Sequence, residues 1–195
     1  MWDERFSEPG YAYGTEPNDF LVSVADRIPK GRVLSLAEGE GRNAVHLAGL
    51  SHDVTAVDTS SVGLAKAENL ARDRGVSITT VNADLGEFVI NPGFWQGIVS
   101  IYCHLPPNIR ADLHRRCVAG LAPGGVFILE GFTPRQLDHG TGGPKIVELL
   151  MEPHDLRKEL AGLDLEIAHE IVRTVSAGKY HGGNAAVVQV LAVKS

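Results

Sequence analysis

The chain has 195 residues, 44% hydrophobic and 22% charged, a balance that fits one globular domain and excludes a disordered or fibrous chain. A formal net charge of −6 leaves no basic footprint for nucleic-acid phosphates or an anionic membrane, so the expected partner is a small molecule. No segment has the apolar length of a membrane span, and the start MWDERFSEPG lacks the order of a secretory signal; Cys103 and Cys117 are the two cysteines. The expectation is a cytoplasmic protein with reduced thiols and no metal site.

In chain order, Pro17 and Asn18 introduce a stretch in which Phe20, Leu21, Val24 and Ile28 recur at helical spacing, ended by Pro29 and Gly31. Val33 to Leu36 reads as a strand that turns through the glycine-rich AEGEG into a helix from Arg42 to Leu50. The unit repeats: Val54 to Val57 is a strand, Asp58-Thr59-Ser60 a capping turn, and Val62 to Arg72 a helix. Ile78 to Val81 and Gly97 to Tyr102 are the third and fourth strands, the latter nearly continuous in apolar residues, as buried parallel strands are.

From Asn108, the residues Ile109, Leu113, Cys117 and Leu121 keep an i,i+4 rhythm, and Pro123-Gly124-Gly125 stops that helix before a strand over Val126 to Glu130. Residues 133 to 152 change to Pro, Gly and polar composition and are expected to be a mobile segment over a ligand. A helix carrying Leu156, Leu160 and Leu163 follows, and Leu165 to Val175 then faces Ala185 to Val193 across the turn AGKYHGGN as an antiparallel hairpin. The fold class is α/β, a doubly wound, Rossmann-like, mostly parallel sheet with helices on both faces, in one domain over 1–195 whose first 30 residues cap the site.

Ligands of open α/β sheets sit beyond the carboxyl ends of the strands, where strand order reverses. After the first strand, Gly39 and Gly41 permit tight turns that let a ligand approach backbone N–H groups at a helix N-terminus, as would suit an amino-acid carboxylate; a tight turn binding nothing is the alternative. After the second strand Asp58 stands where a carboxylate accepts from ribose hydroxyls, or caps the next helix; after the third, Asp84 meets a polar ligand edge or closes a turn. Gly39-x-Gly41-x-x-Ala44 also satisfies a dinucleotide fingerprint, which keeps an NAD-dependent oxidoreductase open. A GxSxG serine and a P-loop are both absent from the sequence.

VLSLAEGEGRNAVHLA, VTAVDTSS, VNADL, GIVSIYCHLPPNIR and LAPGGVFILE, in this order and spacing, resemble class I S-adenosylmethionine (SAM)-dependent methyltransferases. The likeness is nearest to the tellurite-resistance (TehB-like) and thiopurine-methyltransferase-like branch, and it extends to WDERF and YGTEPNDFL at the start and KYHGGNAAVVQVLAVK at the end. The resemblance implies a seven-stranded sheet and SAM as cofactor, with S-adenosylhomocysteine as product. It further implies that Ala37, Glu38, Gly39, Glu40, Gly41 and Asn43 hold the methionine part, Asp58 with Thr59 and Ser60 the ribose, and Asp84 with Ala83 and Leu85 the adenine. The commoner loop of that family has an acid at the position of Ser35 and glycine at that of Ala37.

Aromatic faces favour a sulfonium over bulk water, so Trp2, Tyr11, Tyr13 and Tyr102 are candidates to line the pocket, with ordinary packing as their other role. His104, just past the fourth strand, is the leading proton acceptor or acceptor-orienting residue, or else a histidine bonded to backbone. On the hairpin, Arg173, Lys179, Tyr180 and His181 could reach an anionic acceptor, or form a solvated turn. The expected reaction is methyl transfer to a small acceptor, a thiol or a tellurite- or selenite-like oxyanion; a non-catalytic SAM sensor is the alternative from another class.

Overall fold

Short apolar runs alternating with amphipathic stretches give a sheet whose central strands are covered on both faces. The computed structural model describes residues 2–195, and at His181 the backbone alone. The strands are β1 (Arg32–Leu36), β2 (Asp53–Asp58), β3 (Thr79–Asn82), β4 (Trp95–Ile101), β5 (Leu121–Phe132), β6 (Leu163–Ala177) and β7 (His181–Lys194). The helices are α1 (Trp2–Phe6), α2 (Asp19–Val24), α3 (Arg42–Gly49), α4 (Ser61–Asp73), α5 (Pro107–Gly120) and α6 (Pro153–Glu159). Among the described residues no helix is long and apolar enough to cross a membrane.

The seven strands form one sheet in the order β3-β2-β1-β4-β5-β7-β6. β1 to β5 pair in parallel, and β7 lies antiparallel between β5 and β6, so the Rossmann-like architecture with a terminal hairpin is the one observed. Strand order reverses between β1 and β4, which places the crevice beside the loops that follow these two strands. Alternation along the strands sends Leu34, Ile98 and Phe127 to a layer with Leu113 of α5 and Leu156 of α6. Val33, Val99 and Ile128 pack on the other face against Leu21, Leu47 and Leu64 of α2, α3 and α4.

Several elements differ from the sequence reading; the helix expected to carry Leu163 ends at Glu159, and Leu163 opens β6. The opening WDERF is a helix, whose buried Phe6 docks it on the rest of the fold. Leu121 belongs to β5 and not to the preceding helix: it pairs with Trp95, and Pro123-Gly124-Gly125 interrupts the strand, the register resuming at Gly97↔Val126. Gly120, the last residue of α5, is held to glycine because a Cβ there would stand 2.4 Å from Ile90. The hairpin strands run on to Ala177 and His181, which reduces the turn to Gly178, Lys179 and Tyr180, with Gly178 at φ +60°. Finally, residues 133–152 are pinned at several points: Gln136 is fully buried and accepts from Ala186 N–H at 2.9 Å, and Met151 N–H donates to Phe132 O at 2.9 Å.

Candidate active site

The loop from β1 to α3 runs through left-handed backbone at Ala37 (φ 48°), Gly39 (65°) and Gly41 (94°), conformations that glycine adopts freely and alanine does not. Gly41 has a second reason: a Cβ there would lie 2.6 Å from Ala67 of α4. Between them the buried Glu38 carboxylate accepts from the N–H groups of Asn43 and Ala44, each at 3.0 Å, and from the Ser35 hydroxyl. Those backbone donors are orphans of the α3 N-terminus, and an acid is the group that satisfies them. Burial raises the Glu38 pKa, opposed by the bonds from Ser35, Ala44 and Asn43. The acid absent at position 35 thus stands at 38, with Ser35 as its donor. Glu40 turns the other way, accepting from Ala12 N–H at 2.7 Å and from Lys66 Nζ at 2.9 Å.

At the end of β2, Asp58 Oδ2 accepts from Gly39 N–H at 2.9 Å and Oδ1 from Ser60 N–H at 2.8 Å. A carboxylate has about four acceptor positions, so the N–H groups around Asp58 leave room for a ligand's hydroxyl. Desolvation raises the pKa of this buried acid, and the N–H bonds from Ser60 and Gly39 counter it. Ser60 caps α4 by accepting from Gly63 N–H at 3.0 Å, and Thr59 is exposed. Beyond β3, Ala83 N–H donates to Asp58 O at 3.0 Å, which ties the third strand end to the second. Asp84 is exposed and accepts from Gly86 N–H at 2.7 Å, while Leu85 is buried in the core. Gly39, Asp58 and Asp84 therefore stand along one rim.

The end of β4 is strained at Tyr102, a non-glycine residue with φ 56°. Its hydroxyl donates to Glu130 Oε1 at 2.8 Å, and burial beside that carboxylate raises its pKa. Cys103 is buried among apolar side chains, which pushes its thiol up to about 12. At His104, Nδ1 meets Leu149 O at 2.9 Å and Nε2 accepts from Phe132 N–H at 3.3 Å. These partners fix a neutral tautomer with both ring nitrogens occupied, and burial lowers the pKa to about 4. Of the two roles open for His104, the geometry favours the backbone-bonded one.

Glu130, fully buried at the end of VFILE on β5, is the hub that sequence reasoning missed. It accepts from Asn18 Nδ2 at 2.8 Å, Tyr102 Oη at 2.8 Å, Gln189 Nε2 at 2.7 Å, and from Arg173 Nε at 3.0 Å and Nη2 at 2.6 Å. Burial alone would raise its pKa, but Arg173 and Gln189 bring it below the usual range. Arg173, expected to reach toward an anionic acceptor, is thereby engaged with Glu130, and its Nη1 meets Asp19 at 3.1 Å. An acid ending an otherwise apolar buried strand was the available signal.

The N-terminal residues lie on this rim. Phe6 packs where a Cβ on Gly39 or Gly63 would stand, at 3.0 and 2.8 Å, and Ser60 Oγ donates to Asp3 Oδ1 at 2.5 Å. Trp2, 45% exposed, stacks on Phe6 at 5.6 Å, and Tyr13 meets Phe6 edge-on at 6.5 Å. The Arg5 guanidinium lies 5.3 Å from the Trp2 ring and 4.7 Å from that of Tyr180 at the hairpin tip. Tyr11 packs elsewhere, against Val45, Leu70 and Ala71. The side chain of His181 lies outside the described residues.

Residues 33–125 match a family model described as a methyltransferase domain. Three solved structures share the fold. A protein that converts a disulfide bond into a thioacetal group during echinomycin biosynthesis superposes with a TM-score of 0.79 at 16% identity over 99% of this chain and 88% of that one. TehB from Haemophilus influenzae gives 0.76 at 19% identity, over 91% of this chain and 62% of that one. A SAM-dependent methyltransferase from Methanosarcina mazei gives 0.70 at 15% identity, over 88% and 96%. None of the curated proteins matches the chain in sequence.

Proposed function

From a methyltransferase domain carried on the fold of SAM-dependent methyltransferases, we propose that the protein binds SAM along the strand-end rim and transfers its methyl group to a small, already nucleophilic acceptor. The observation that carries the donor half is Asp58: two backbone N–H groups orient its carboxylate, and its remaining lone pairs suit ribose hydroxyls. Asp84 and Leu85 would meet the adenine, the backbone of residues 37–41 the methionine part, and Trp2 and Tyr13 would shield the sulfonium. When bound, SAM supplies an electrophilic methyl carbon for in-line displacement. The chain's own share is to align the partners and exclude water.

The acceptor half rests on what surrounds Tyr102. Among the described residues after β4, both nitrogens of His104 are occupied, Cys103 is buried as a thiol, and Tyr102 already donates to Glu130. None is placed to take a proton, which favours a thiolate or a reduced metalloid anion over an alcohol or a protonated amine. The fold neighbour described by the conversion of a disulfide bond into a thioacetal group is in keeping with a sulfur acceptor, and the resemblance to the tellurite-resistance branch with a metalloid one. Calorimetry with SAM, S-adenosylhomocysteine and NAD tests the donor, and mass spectrometry of products from thiols, selenite, tellurite and amines tests the acceptor. Saturable binding of NAD without SAM would restore the oxidoreductase reading; SAM binding with methylation of amines alone would overturn the acceptor class.

A further inference from the structure

Residues 2–14 are attached to the fold with unequal strength. The middle of the segment is anchored: Lys66 Nζ donates to Glu8 O at 2.8 Å and to Gly10 O at 2.6 Å, and Glu40 accepts from Ala12 N–H at 2.7 Å. α1, just before it, is five residues long, too short to hold a helix without docking. Both of its docking points belong to the strand-end rim. Phe6 sits on the backbone at Gly39 and Gly63, and Asp3 accepts from Ser60 Oγ at 2.5 Å, the same Ser60 whose N–H orients the Asp58 carboxylate. The seat is shaped for the ring: a Cβ on Gly63 would stand 2.8 Å from Phe6 and 3.0 Å from Gly39 O, and glycine inside a helix is otherwise destabilising.

The hairpin tip grips the segment from the other side. Tyr180 Oη donates to Glu8 Oε1 at 2.5 Å, Lys179 N–H to Ala12 O at 2.9 Å and Lys179 Nζ to Pro9 O at 3.1 Å. Tyr180 also reaches α1 itself, since the Arg5 guanidinium lies 4.7 Å from its ring. We propose that α1 is a gate over the donor site, hinged between Phe6 and the anchored Glu8 and latched by Tyr180, so that the donor passes only while α1 is lifted. The proposal rests on the SAM reading for what passes the gate. Lifting α1 uncovers Phe6, 4% exposed when seated, together with the Gly39 backbone and the Asp58 neighbourhood that the methionine part and the ribose would use. A cation–π contact near the surface is weak, as suits a latch that opens at each exchange.

The test compares wild type with Tyr180→Phe, which loses the Glu8 bond and keeps a ring beside Arg5, with Tyr180→Ala, which loses both, and with Phe6→Ala, which unseats α1. Far-UV circular dichroism and thermal melting confirm folding. Hydrogen–deuterium exchange of residues 2–8, where Ser7 N–H donates to Asp3 O at 2.8 Å, reads the gate without any ligand, and stopped-flow kinetics read S-adenosylhomocysteine entering and leaving. Tyr180→Ala is expected to speed that exchange by about three- to tenfold, with Tyr180→Phe between it and wild type and Phe6→Ala beyond it. Passage only through the lifted state makes both rate constants scale with the fraction lifted, so in Tyr180→Ala association and dissociation rise by the same factor while Kd stays within about twofold. A side chain that merely lined the pocket would change dissociation and Kd together. Unchanged S-adenosylhomocysteine rates in folded Tyr180→Ala and Phe6→Ala proteins overturn the gate, and so does faster dissociation at constant association in Tyr180→Ala. A wild type that binds no adenosyl compound, while Tyr180→Ala still frees residues 2–8, would instead sink the donor reading and keep the latch.

Discussion

Asp58 has two tasks that one substitution separates. It fixes Gly39 and Ser60 through their N–H groups, and under the proposed reading it also receives the ribose. Asp58→Asn keeps the volume but turns one N–H acceptor into a donor, so we expect SAM affinity to fall about ten- to a hundredfold and stability by about 1–3 kcal/mol. Calorimetry and urea melts check both; unchanged affinity with lowered stability would confine Asp58 to loop support. His104 gives a pH signature. Its native pKa, about 4, lies below the ordinary histidine value near 6.5, so the unfolded chain binds the extra proton between those two values. Its stabilisation is therefore complete above pH 6.5 and lost as pH falls through 4, by roughly 3 kcal/mol in full. Urea melts at several pH values should show that loss in wild type and much less in His104→Gln, and parallel curves would refute it. The backbone bonds of His104 were not legible in the sequence, because Leu149 and Phe132 approach it only after residues 133–152 fold back on β5.

At the scale of elements, most boundaries followed from local chemistry: Asn18 caps α2 by accepting from Leu21 N–H, and Ser60 caps α4. Periodicity does not report what docks on what. WDERF is too short to declare a helix alone, and it is held by Phe6 over Gly39 and Gly63. The hairpin tip is likewise held from outside its own strands: Lys179 N–H donates to Ala12 O at 2.9 Å, and Tyr180 Oη to Glu8 at 2.5 Å. Glycine at 178 is required there twice, by its φ of +60° and because a Cβ would stand 2.3 Å from Ala12 O. Gly178→Val should therefore separate the tip from residues 8–14 while the sheet persists. Limited proteolysis should then cut within the first 14 residues faster than in wild type, with far-UV circular dichroism retained; equal cleavage rates would show that the two segments are not coupled.

At the scale of the molecule, three parallel strand ends bring Gly39, Asp58 and Asp84 to one rim, and that arrangement was readable because each strand–turn–helix unit announces its own end. The opposite wall was not readable. Glu130 gathers Asn18 from α2's cap, Tyr102 from β4, Arg173 from β6 and Gln189 from β7, and the insertion of β7 between β5 and β6 is what brings them within reach. Under the proposed reading, with that hub internally satisfied and His104 occupied among the described residues, acid–base work is left to the acceptor itself. For thiol acceptors kcat/KM should rise with pH in proportion to the thiolate and level off at the pKa of the thiol used, since the thiolate is the nucleophile. An aromatic and an alkyl thiol, whose ionisations differ, should give breaks displaced by that difference. A common break near about 6.5 for both would instead identify a histidine of the protein as the base.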